Sequence, residues 1–520
     1  MDGETGEGRR RRAGGRAANA RREHARHLAQ APWSLPQNPD RPTEPLGPEG
    51  VAAIHDGAMR VLEEVGIDFL HDEARAILKR AGCAVAADGP RVRMGRDWVM
   101  EKVRLAPPAF TITPRNPERA IVMGGRAVLF GAVASPPNVS DPAAGRRPGD
   151  RHAYRDLLRL TQFFNCIHLN GGYPVEPVDI HASVRHLDCL SDMLTLTDKA
   201  VHAYSLGPER VEDAMEMVRL AAGLTHAQFD AAPRMYTNIN SSSPLKHDWP
   251  MLDGAMRLAR RGQPVIVTPF TLAGAMAPVT LAGAVCQSVA EALACVALLQ
   301  EIRPGAPVAY GSFTSNVDMK SGAPAFGTPE YMRATQISGQ MARFYGLPFR
   351  ASNACAANVP DAQAAWESAF SLWACLSSGT NLVYHAAGWL EGGLCASYEK
   401  FVMDCETIQQ MIRYMAPVTA TPEDVAVEAI AEVGPTGHFF GARHTQDRYE
   451  TAFYSPFLSD WRNYESWLED GAVETPARAG RLAAQALADY EAPALDPAAR
   501  EALEDFVARR KREGGAPTDF

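Results

Sequence analysis

The residues of this sequence that could do chemistry stand at the ends of short apolar segments in the middle of the chain. Tyr204 and Ser205 end one such segment, Asn238 and Asn240 end another, and Phe313 ends a third. Side chains of these types offer neutral hydrogen bonds and aromatic faces, and none of them carries a charge. A site built from them suits a cationic ligand whose reaction needs no proton transfer.

Several catalytic mechanisms are disfavoured by what these segments lack. None of them carries a lysine for a Schiff base, and no cluster of histidines and carboxylates has the spacing of a zinc site. The chain has no phosphate-binding P-loop and no Gly-x-Ser-x-Gly nucleophile elbow. The cysteines are predicted to be packing residues in a reducing environment. We therefore assign no catalytic residue and expect no metal site.

An uncharged aromatic pocket is the kind of surface that holds a quaternary ammonium group. Each aromatic face attracts such a cation by about 0.5–2 kcal/mol once water is excluded. The candidates for an aromatic cage stand at or just after the apolar segments: Tyr204, Phe270, Phe313 and Trp389. The alternative for each of them is ordinary packing at the end of a strand, where aromatic residues are common.

Eight apolar segments alternate with longer stretches of helical periodicity, and their starts lie 30 to 43 residues apart. The predicted strands are Val128–Val133, Cys166–Leu169, Ala200–Ser205, Met235–Ile239, Val265–Phe270, Val308–Phe313, Pro348–Ser352 and Leu382–Ala386. The predicted helices between and after them are 151–163, 179–196, 208–223, 247–261, 280–302, 328–345, 361–379 and 397–415. Such alternation implies parallel strands joined by right-handed crossovers.

Eight such units favour an α/β fold of the closed (β/α)8 barrel type, the TIM barrel, whose functional residues lie at the carboxyl ends of the strands. A doubly wound open sheet is the alternative, although the first strand is not followed by its usual glycine-rich loop. The predicted organisation is a flexible Arg-rich arm (1–30), an N-terminal cap (31–125), the barrel (126–416) and a C-terminal helical extension (417–520). The cap is predicted to contain two helices over 49–82, followed by short strands and turns over 83–125. Most of the segment 437–475, which is rich in aromatic residues, is expected to pack against the barrel.

Composition and charge narrow the class of protein further. The chain has 520 residues, 46% of them hydrophobic, and a net charge of −9, which disfavours general nucleic-acid binding. It contains no run of about 18 apolar residues and no secretory signal at its start, so neither a membrane span nor export is predicted. We expect a cytoplasmic protein. The Arg-rich arm is either a solvated segment or one that touches an acidic partner or a neighbouring subunit.

Several short motifs resemble the trimethylamine methyltransferase superfamily of corrinoid-dependent methyltransferases. The most specific of them are Leu62-Glu63-Glu64-Val65-Gly66-Ile67, Pro360-Asp361-Ala362-Gln363-Ala364, Gly388-Trp389-Leu390-Glu391-Gly392-Gly393-Leu394 and Gly434-Pro435-Thr436-Gly437-His438-Phe439. The resemblance extends from about residue 10 to residue 475. Only the twenty standard residues occur, so the chain resembles the branch of the family that lacks pyrrolysine and acts on betaine-like quaternary amines.

The resemblance implies transfer of a methyl group from a quaternary amine, such as glycine betaine, to the Co(I) of a corrinoid (cobalamin) on a separate partner protein. No cofactor is then expected to bind tightly to this chain, and a homo-oligomer is expected. If the substrate carries a carboxylate, Arg350 and His385 are the candidates to receive it, and Glu391 faces the ammonium or holds its loop. The polar mouth or corrinoid-facing candidates are Asn170, Asn240 and Asn353. Two alternatives remain open: a lyase or hydrolase on the same barrel acting on a small polar metabolite, and a catalytically silent quaternary-amine binding subunit.

Overall fold

The computed structural model describes residues 28, 30–141 and 143–518, so most of the predicted arm lies outside the described residues. The first part of the described chain is a mixed α/β cap. Its helices are Pro48–Arg60, continued by a π-helical turn Val61–Val65, then Asp72–Arg80, Arg96–Val103 and the 3-10 turn Pro117–Arg119. Its strands are Ile67–Phe69, Ala84–Val85, Arg91–Arg93, Ala109–Ile112 and Ile121–Gly124.

The central part is a closed barrel of eight parallel strand positions, which confirms the predicted fold class. Six positions are continuous strands: Leu129–Ala132, Thr237–Ile239, Val265–Val267, Val308–Gly311, Phe349–Ser352 and Leu382–Ala387. The second and third are short, and parallel bridges at Leu169, Ala200 and His202 link them into the ring. Parallel pairing of Leu382 with Leu129 joins the last strand to the first. This closure excludes the doubly wound open sheet.

Each barrel strand is followed by a helix within a few residues of the predicted range. The barrel helices are Arg151–Phe163, Ala182–Leu196, Pro208–Ala221, Trp249–Arg260, Leu281–Ile302, Pro329–Tyr345, Ala362–Ser377 and Tyr398–Tyr414, with a short helix His226–Asp230 before the fourth strand. Short strands extend the loops at the carboxyl ends of the barrel strands: Asn138–Asp141, Gly145–Pro148, Lys246–His247, Phe270–Ala273, Phe313–Val317, Pro324–Ala325, Trp389–Leu390 and Cys395–Ser397.

A two-stranded ribbon closes the amino-terminal end of the barrel. The strands Ala109–Ile112 and Ile121–Gly124 pair antiparallel, and their inward side chains share one buried cluster with the barrel interior. The proline-rich connector lies at the same end, where the carbonyl of Pro36 accepts a hydrogen bond from the N–H of Val128. Because this end is filled with side chains, the open space of the barrel lies at the opposite end, where the strand carboxyl ends meet.

Leu281–Ile302 is the one helix of the described residues whose length and hydropathy would allow it to cross a membrane. In this fold it is mostly buried, and the cap helices Pro48–Arg60 and Arg96–Val103 pack against it.

Three expectations about the regions outside the barrel were wrong. Residues 83–125 contain the helix Arg96–Val103 besides strands and turns, because Val99 and Val103, one turn apart, are enough to bury one face. The single helix expected over 421–433 is two short helices, Pro422–Val425 and Val427–Val433, separated by Ala426 at φ +53°. Most aromatic residues expected to pack over 437–475 are exposed instead.

The rest of the extension returns to the barrel. The 3-10 turn Phe439–Gly441 and the helices Arg443–Gln446 and Tyr464–Glu469 lie in the exposed part, followed by Thr475–Ala488 and Pro497–Arg512. The last two helices pack on barrel helices, and ion pairs from Arg510 to Asp213 and from Lys511 to Asp188 hold the final one in place.

Candidate active site

A cavity of about 540 Å³ lies at the carboxyl ends of the barrel strands. Aromatic and neutral polar side chains form most of its wall, and Arg350 is the one formally charged residue among those lining it. The lining includes Ser135, His202, Tyr204, Asn238, Asn240, Ser241, Met251, Phe270, Met276, Phe313, Arg350, Tyr384, His385 and Trp389. Six residues predicted from the sequence as substrate-binding therefore face one space: Tyr204, Phe270, Phe313, Arg350, His385 and Trp389.

Phe313 is the centre of an aromatic group on one side of this cavity. Its ring centroid lies 5.2 Å from that of Phe270, 5.7 Å from Trp389 and 6.1 Å from His385. Parallel pairing of the short strands Phe270–Ala273 and Phe313–Val317 places Phe270 directly beside Phe313. The structure thus brings three of the four predicted cage residues together.

Tyr204, the fourth predicted cage residue, belongs to a second aromatic group in the cavity wall. Its ring lies 4.7 Å from the rings of Tyr173 and His202. Its hydroxyl accepts a hydrogen bond from the N–H of Tyr173 at 3.1 Å and shares another with Ser135 Oγ at 2.6 Å. Burial raises the pKa of Tyr204 to about 12, so the phenol stays neutral near pH 7. The hydroxyl is held by the protein, which fixes the ring in the wall.

Arg350 is a buried cation without a protein counter-charge. Its side chain is 2% exposed, and its Cζ lies 4.5 Å from the ring centroid of Tyr384 and 5.8 Å from that of Phe313. Within the described part of the chain, Nε and Nη1 have no hydrogen-bond partner, and no carboxylate forms an ion pair with this side chain. Burial lowers the pKa of Arg350, yet a guanidinium remains protonated in proteins. A buried charge of this kind is costly until an anion pairs with it.

His385 belongs to the aromatic group around Phe313, to which Arg350 is also adjacent. Its backbone has φ +52°, and its imidazole stacks on the indole of Trp389 with 4.8 Å between centroids. Nδ1 lies 3.3 Å from Ser352 Oγ. Burial, with a smaller effect from Arg350, lowers the pKa of His385 well below its ordinary value. The ring is therefore neutral at pH 7 and offers the cavity a flat aromatic surface.

His202 is a cavity residue that the sequence reasoning missed. Its Nε2 accepts a hydrogen bond from the N–H of Asn238 at 3.1 Å, so the neutral ring carries its proton on Nδ1. That Nδ1 has no hydrogen-bond partner among the described residues. Burial lowers the pKa of His202 to about 3. Alternation along the third strand places His202 and Tyr204 on the same face, which is the signal that could have identified it.

A buried carboxylate fixes the loop that follows the fourth strand. Glu291 accepts hydrogen bonds from the hydroxyls of Ser241 and Ser243, and from the N–H of Leu245 at 2.8 Å. Gln287 donates to the same carboxylate at 2.9 Å. Glu291 stands in the middle of an apolar helix, far from any strand end, so reading the strand ends could not find it. Its hydrogen bonds hold the cavity residue Ser241 in place.

The structure moves three other predicted residues away from the cavity lining. Asn170 and Asn353 are buried between strands, where their amides donate to the carbonyls of Ala200 and Ala386. Glu391 forms an ion pair with Arg146, with 2.9 Å between Nε and Oε1, and therefore holds its loop. Asn170 and Asn353 are therefore not among the residues that line this cavity, because their amides are used within the barrel wall. For Glu391, holding the loop is one of the two roles predicted from the sequence.

The third asparagine predicted for the mouth, Asn240, does line the cavity, and it donates to the carbonyl of Thr268 at 2.8 Å. Over residues 28, 30–141 and 143–518, no three histidine, cysteine or acidic side chains are grouped so that they could hold a metal ion. The arrangement can bind a small molecule that has one anionic group for Arg350 and one apolar or cationic group for the aromatic rings.

Comparison with known proteins identifies several relatives along nearly the whole chain. The family model described as "Trimethylamine methyltransferase (MTTB)" matches residues 12–515. A glycine betaine methyltransferase of Desulfitobacterium hafniense (strain Y51) is 37% identical over 471 residues, 90% of this chain and 98% of that protein. A trimethylamine methyltransferase MttB of D. hafniense (strain DSM 10664 / DCB-2) is 29% identical over 90% of this chain and 94% of that protein. A proline betaine:corrinoid methyltransferase of Eubacterium limosum is 26% identical over 88% of this chain and 96% of that protein.

The neutral histidine of the cavity predicts a pH dependence of stability. His202 has a pKa of about 3 in the folded chain and an ordinary value near 6.5 when unfolded. Between these values the unfolded chain binds a proton that the folded chain does not, so the stabilisation present above pH 6.5 is lost as the pH falls. At pH 4.5 the loss from this one residue should be on the order of 2–3 kcal/mol.

Thermal unfolding midpoints of the wild type and of His202→Gln, measured from pH 7.5 to 4.5, test this. Glutamine keeps an acceptor for the N–H of Asn238 but cannot bind the extra proton when unfolded, so the variant should lose less stability on acidification. The surface substitution His152→Gln is the matched control. Equal losses in the wild type and His202→Gln would contradict the assignment.

Proposed function

The chain belongs to the trimethylamine methyltransferase (MTTB) family, and on this premise we propose that it transfers a methyl group from a short betaine to the Co(I) of a corrinoid carried by a separate protein. A betaine joins a quaternary ammonium group to a carboxylate. The cavity offers one partner for each, namely the aromatic group around Phe313 and the guanidinium of Arg350. Relatives named for glycine betaine and proline betaine support a substrate of this class.

The buried guanidinium is the observation that carries the proposal. A simple amine such as trimethylamine would leave Arg350 buried and unpaired, whereas the carboxylate of a betaine supplies the missing negative charge. Planar, bidentate pairing with a carboxylate is the geometry for which arginine is suited. The Nδ1–H of His202 is a second donor without a partner in the described structure, and it lies near the same charge.

The distance between the two binding elements favours a short substrate. Phe313 lies beside both, since its ring is 5.8 Å from the Arg350 Cζ and 5.2 Å from Phe270. One aromatic ring can border the anionic and the cationic end of a ligand only if these are close together. In glycine betaine a single carbon separates the nitrogen from the carboxylate, whereas longer zwitterions would extend beyond Phe313.

The reaction needs no general acid or general base from this chain. The C–N bond breaks with its electron pair remaining on nitrogen, so a neutral amine leaves and needs no proton. The new C–Co bond takes its electron pair from Co(I), and the products are a tertiary amine and a methylated Co(III) corrinoid. The protein contributes by holding the N–CH3 bond in line with the acceptor and by excluding water. Neutral His202 and His385 suit this role, because a second cation would oppose binding of the ammonium.

The partner protein would reach the methyl group through the loops around the cavity mouth. Four apolar side chains on these loops are exposed, namely Val279, Met319, Val359 and Leu394, with exposed fractions of 54–72%. They come from loops after the fifth, sixth, seventh and eighth strands. Apolar side chains around an open cavity mark a surface that another protein can cover. We propose this rim as the docking surface for the corrinoid protein.

A spectroscopic assay tests the function directly. The purified chain is mixed with Co(I) cobalamin, with glycine betaine, proline betaine, carnitine, choline or trimethylamine, and the loss of Co(I) absorbance is followed. The proposal expects the fastest loss with a short betaine and little with trimethylamine. Binding of a betaine without any loss of Co(I) would indicate a silent binding subunit. Turnover of trimethylamine alone would contradict the assigned substrate class.

Removal of the buried charge should lower kcat/KM most for substrates that carry a carboxylate. Arg350→Met keeps the volume and loses the ion pair, so kcat/KM for glycine betaine should fall by 100-fold or more, about 3 kcal/mol. Choline has no carboxylate, so its binding should change less than threefold. Arg343→Met, on a helix outside the barrel interior, is the matched control. A similar loss for both ligands in Arg350→Met would show that the arginine is structural.

The aromatic group should respond to the charge of the ligand, and not only to its shape. The compound 3,3-dimethylbutanoate has the shape of glycine betaine with carbon in place of nitrogen. Phe270→Leu keeps an apolar contact but removes the aromatic face, so glycine betaine should bind about 2- to 30-fold more weakly. Binding of the carbon analogue should stay within twofold. Calorimetric titration measures both, and equal weakening of the two ligands would contradict a cation–aromatic contact.

A further inference from the structure

Residues 417–474 form a lobe that leaves the barrel and exposes an unusual number of aromatic side chains. Phe453 is 84% exposed and Phe440 is 80% exposed. Other large apolar side chains that the lobe exposes by more than four tenths are Val418, Val425, Val427, Ile430, Phe439, Tyr449, Trp461, Tyr464 and Leu468. A surface of this composition is unfavourable in water, which suggests that it is covered in the working protein.

A second exposed apolar surface lies next to the start of the lobe. Trp366, Phe370 and Trp373 follow one another at helical spacing on Ala362–Ser377, and each is 42–53% exposed. We call them the outer stripe. The ring of Trp373 contacts that of Tyr414 at 5.3 Å, three residues before the lobe begins. The stripe and the lobe are therefore neighbours on one side of the barrel.

The size of this surface matches a stable protein interface. Ten aromatic side chains of the lobe, the stripe and Tyr414 are each 42–84% exposed. An aromatic side chain buries about 150–250 Å² when it is covered, so their exposed portions amount to on the order of 1,000 Å². A stable complex buries about 800 Å² on each partner, and monomeric proteins rarely expose contiguous apolar patches larger than a few hundred Å².

The position of the lobe separates it from the corrinoid-docking rim. The lobe is anchored on the second half of Tyr398–Tyr414, where Glu406 accepts hydrogen bonds from the hydroxyl of Tyr454 at 3.0 Å and the N–H of Phe457 at 3.0 Å. Arg413 donates to the carbonyl of Ala452. This helix starts at the mouth of the barrel and runs away from it, so its second half lies toward the closed end.

The charge of the lobe fits a second copy of this chain. The lobe contains eleven aspartate and glutamate residues and three arginines. All three arginines pair with acids inside the lobe, whereas Glu428, Glu432, Glu465 and Glu469 have no ion pair among the described residues. Residues 1–27 of the same sequence hold eight arginines and four acids. Besides its outer stripe, another copy thus carries a sequence segment whose charge is opposite to that of the lobe, and arginine pairs well with both carboxylates and aromatic rings.

We propose that the lobe and the outer stripe are the contact surface of a homodimer. In a two-fold arrangement the lobe of each copy covers the stripe of the other, so that the interface closes on itself. Such a dimer leaves both barrel mouths open to the partner that brings the methyl acceptor. The proposal stands without the proposed function, since it concerns a surface away from the cavity.

Sedimentation analysis of the full chain at micromolar concentration tests the dimer. The wild type should sediment at twice the mass of the 520-residue chain. The double variant Phe453→Glu/Trp461→Glu changes only exposed positions, so it should keep the wild-type circular dichroism and sediment as a monomer. Leu105→Glu also replaces an exposed apolar side chain by glutamate, but in the cap, and this variant should remain dimeric. A monomeric wild type, or an unchanged dimer in the double variant, would overturn the proposal.

A second measurement on the wild type avoids any effect of the substitutions on folding. Hydroxyl-radical labelling should modify Trp366, Phe453 and Trp461 several-fold less than their exposure in a single chain would allow. The protection should decrease on dilution below the dissociation constant of the dimer. Met319, which is 72% exposed and located at the cavity rim, should be labelled at the same rate at every concentration. Full labelling of the lobe at high concentration would overturn the proposal independently.

Discussion

A single unpaired charge organises the candidate active site. Arg350 lies within the seventh barrel strand, 2% exposed, with aromatic rings on two sides and without a carboxylate partner in the described chain. Such a group is tolerated only if the fold is held together by other means and if the anion arrives with the ligand. Burial lowers the pKa of the nearby His202 and His385, and the guanidinium adds a smaller effect in the same direction, so both rings are neutral.

The rest of the fold supplies the stability that permits this arrangement. The ribbon of Ala109–Ile112 and Ile121–Gly124 fills the amino-terminal end of the barrel with side chains, which leaves one open end. Glu291 fixes the loop after the fourth strand with several hydrogen bonds, and Tyr204 is held by Ser135 and Tyr173. The cavity walls are therefore rigid before a ligand enters, and a pre-arranged wall is what positioning of a methyl group requires.

Much of this could be predicted from the sequence, because the barrel repeats one local pattern eight times. The period of strands and helices predicts the closed fold. Positions on the strands and at their carboxyl ends predict Phe270, Phe313, Arg350, His385 and Trp389 as neighbours. A position at a strand end does not by itself fix the direction of a side chain: Asn170 and Asn353 donate to the carbonyls of Ala200 and Ala386 instead of lining the cavity. It also misses groups that act from elsewhere, such as His202 inside a strand and Glu291 inside a helix.

The aromatic residues of 437–475 show a different limit of sequence reasoning. A tryptophan or phenylalanine that packs on its own barrel and one that packs on another copy have the same composition and the same hydropathy. The surrounding charges could have distinguished the two cases, because acidic residues are interleaved with Phe453, Trp461 and Tyr464 and would be costly inside a core. Protein interfaces combine apolar anchors with charged residues at their rim, and the lobe exposes both kinds of side chain. Acidic residues interleaved with aromatic ones therefore argue against a buried core and for an interface.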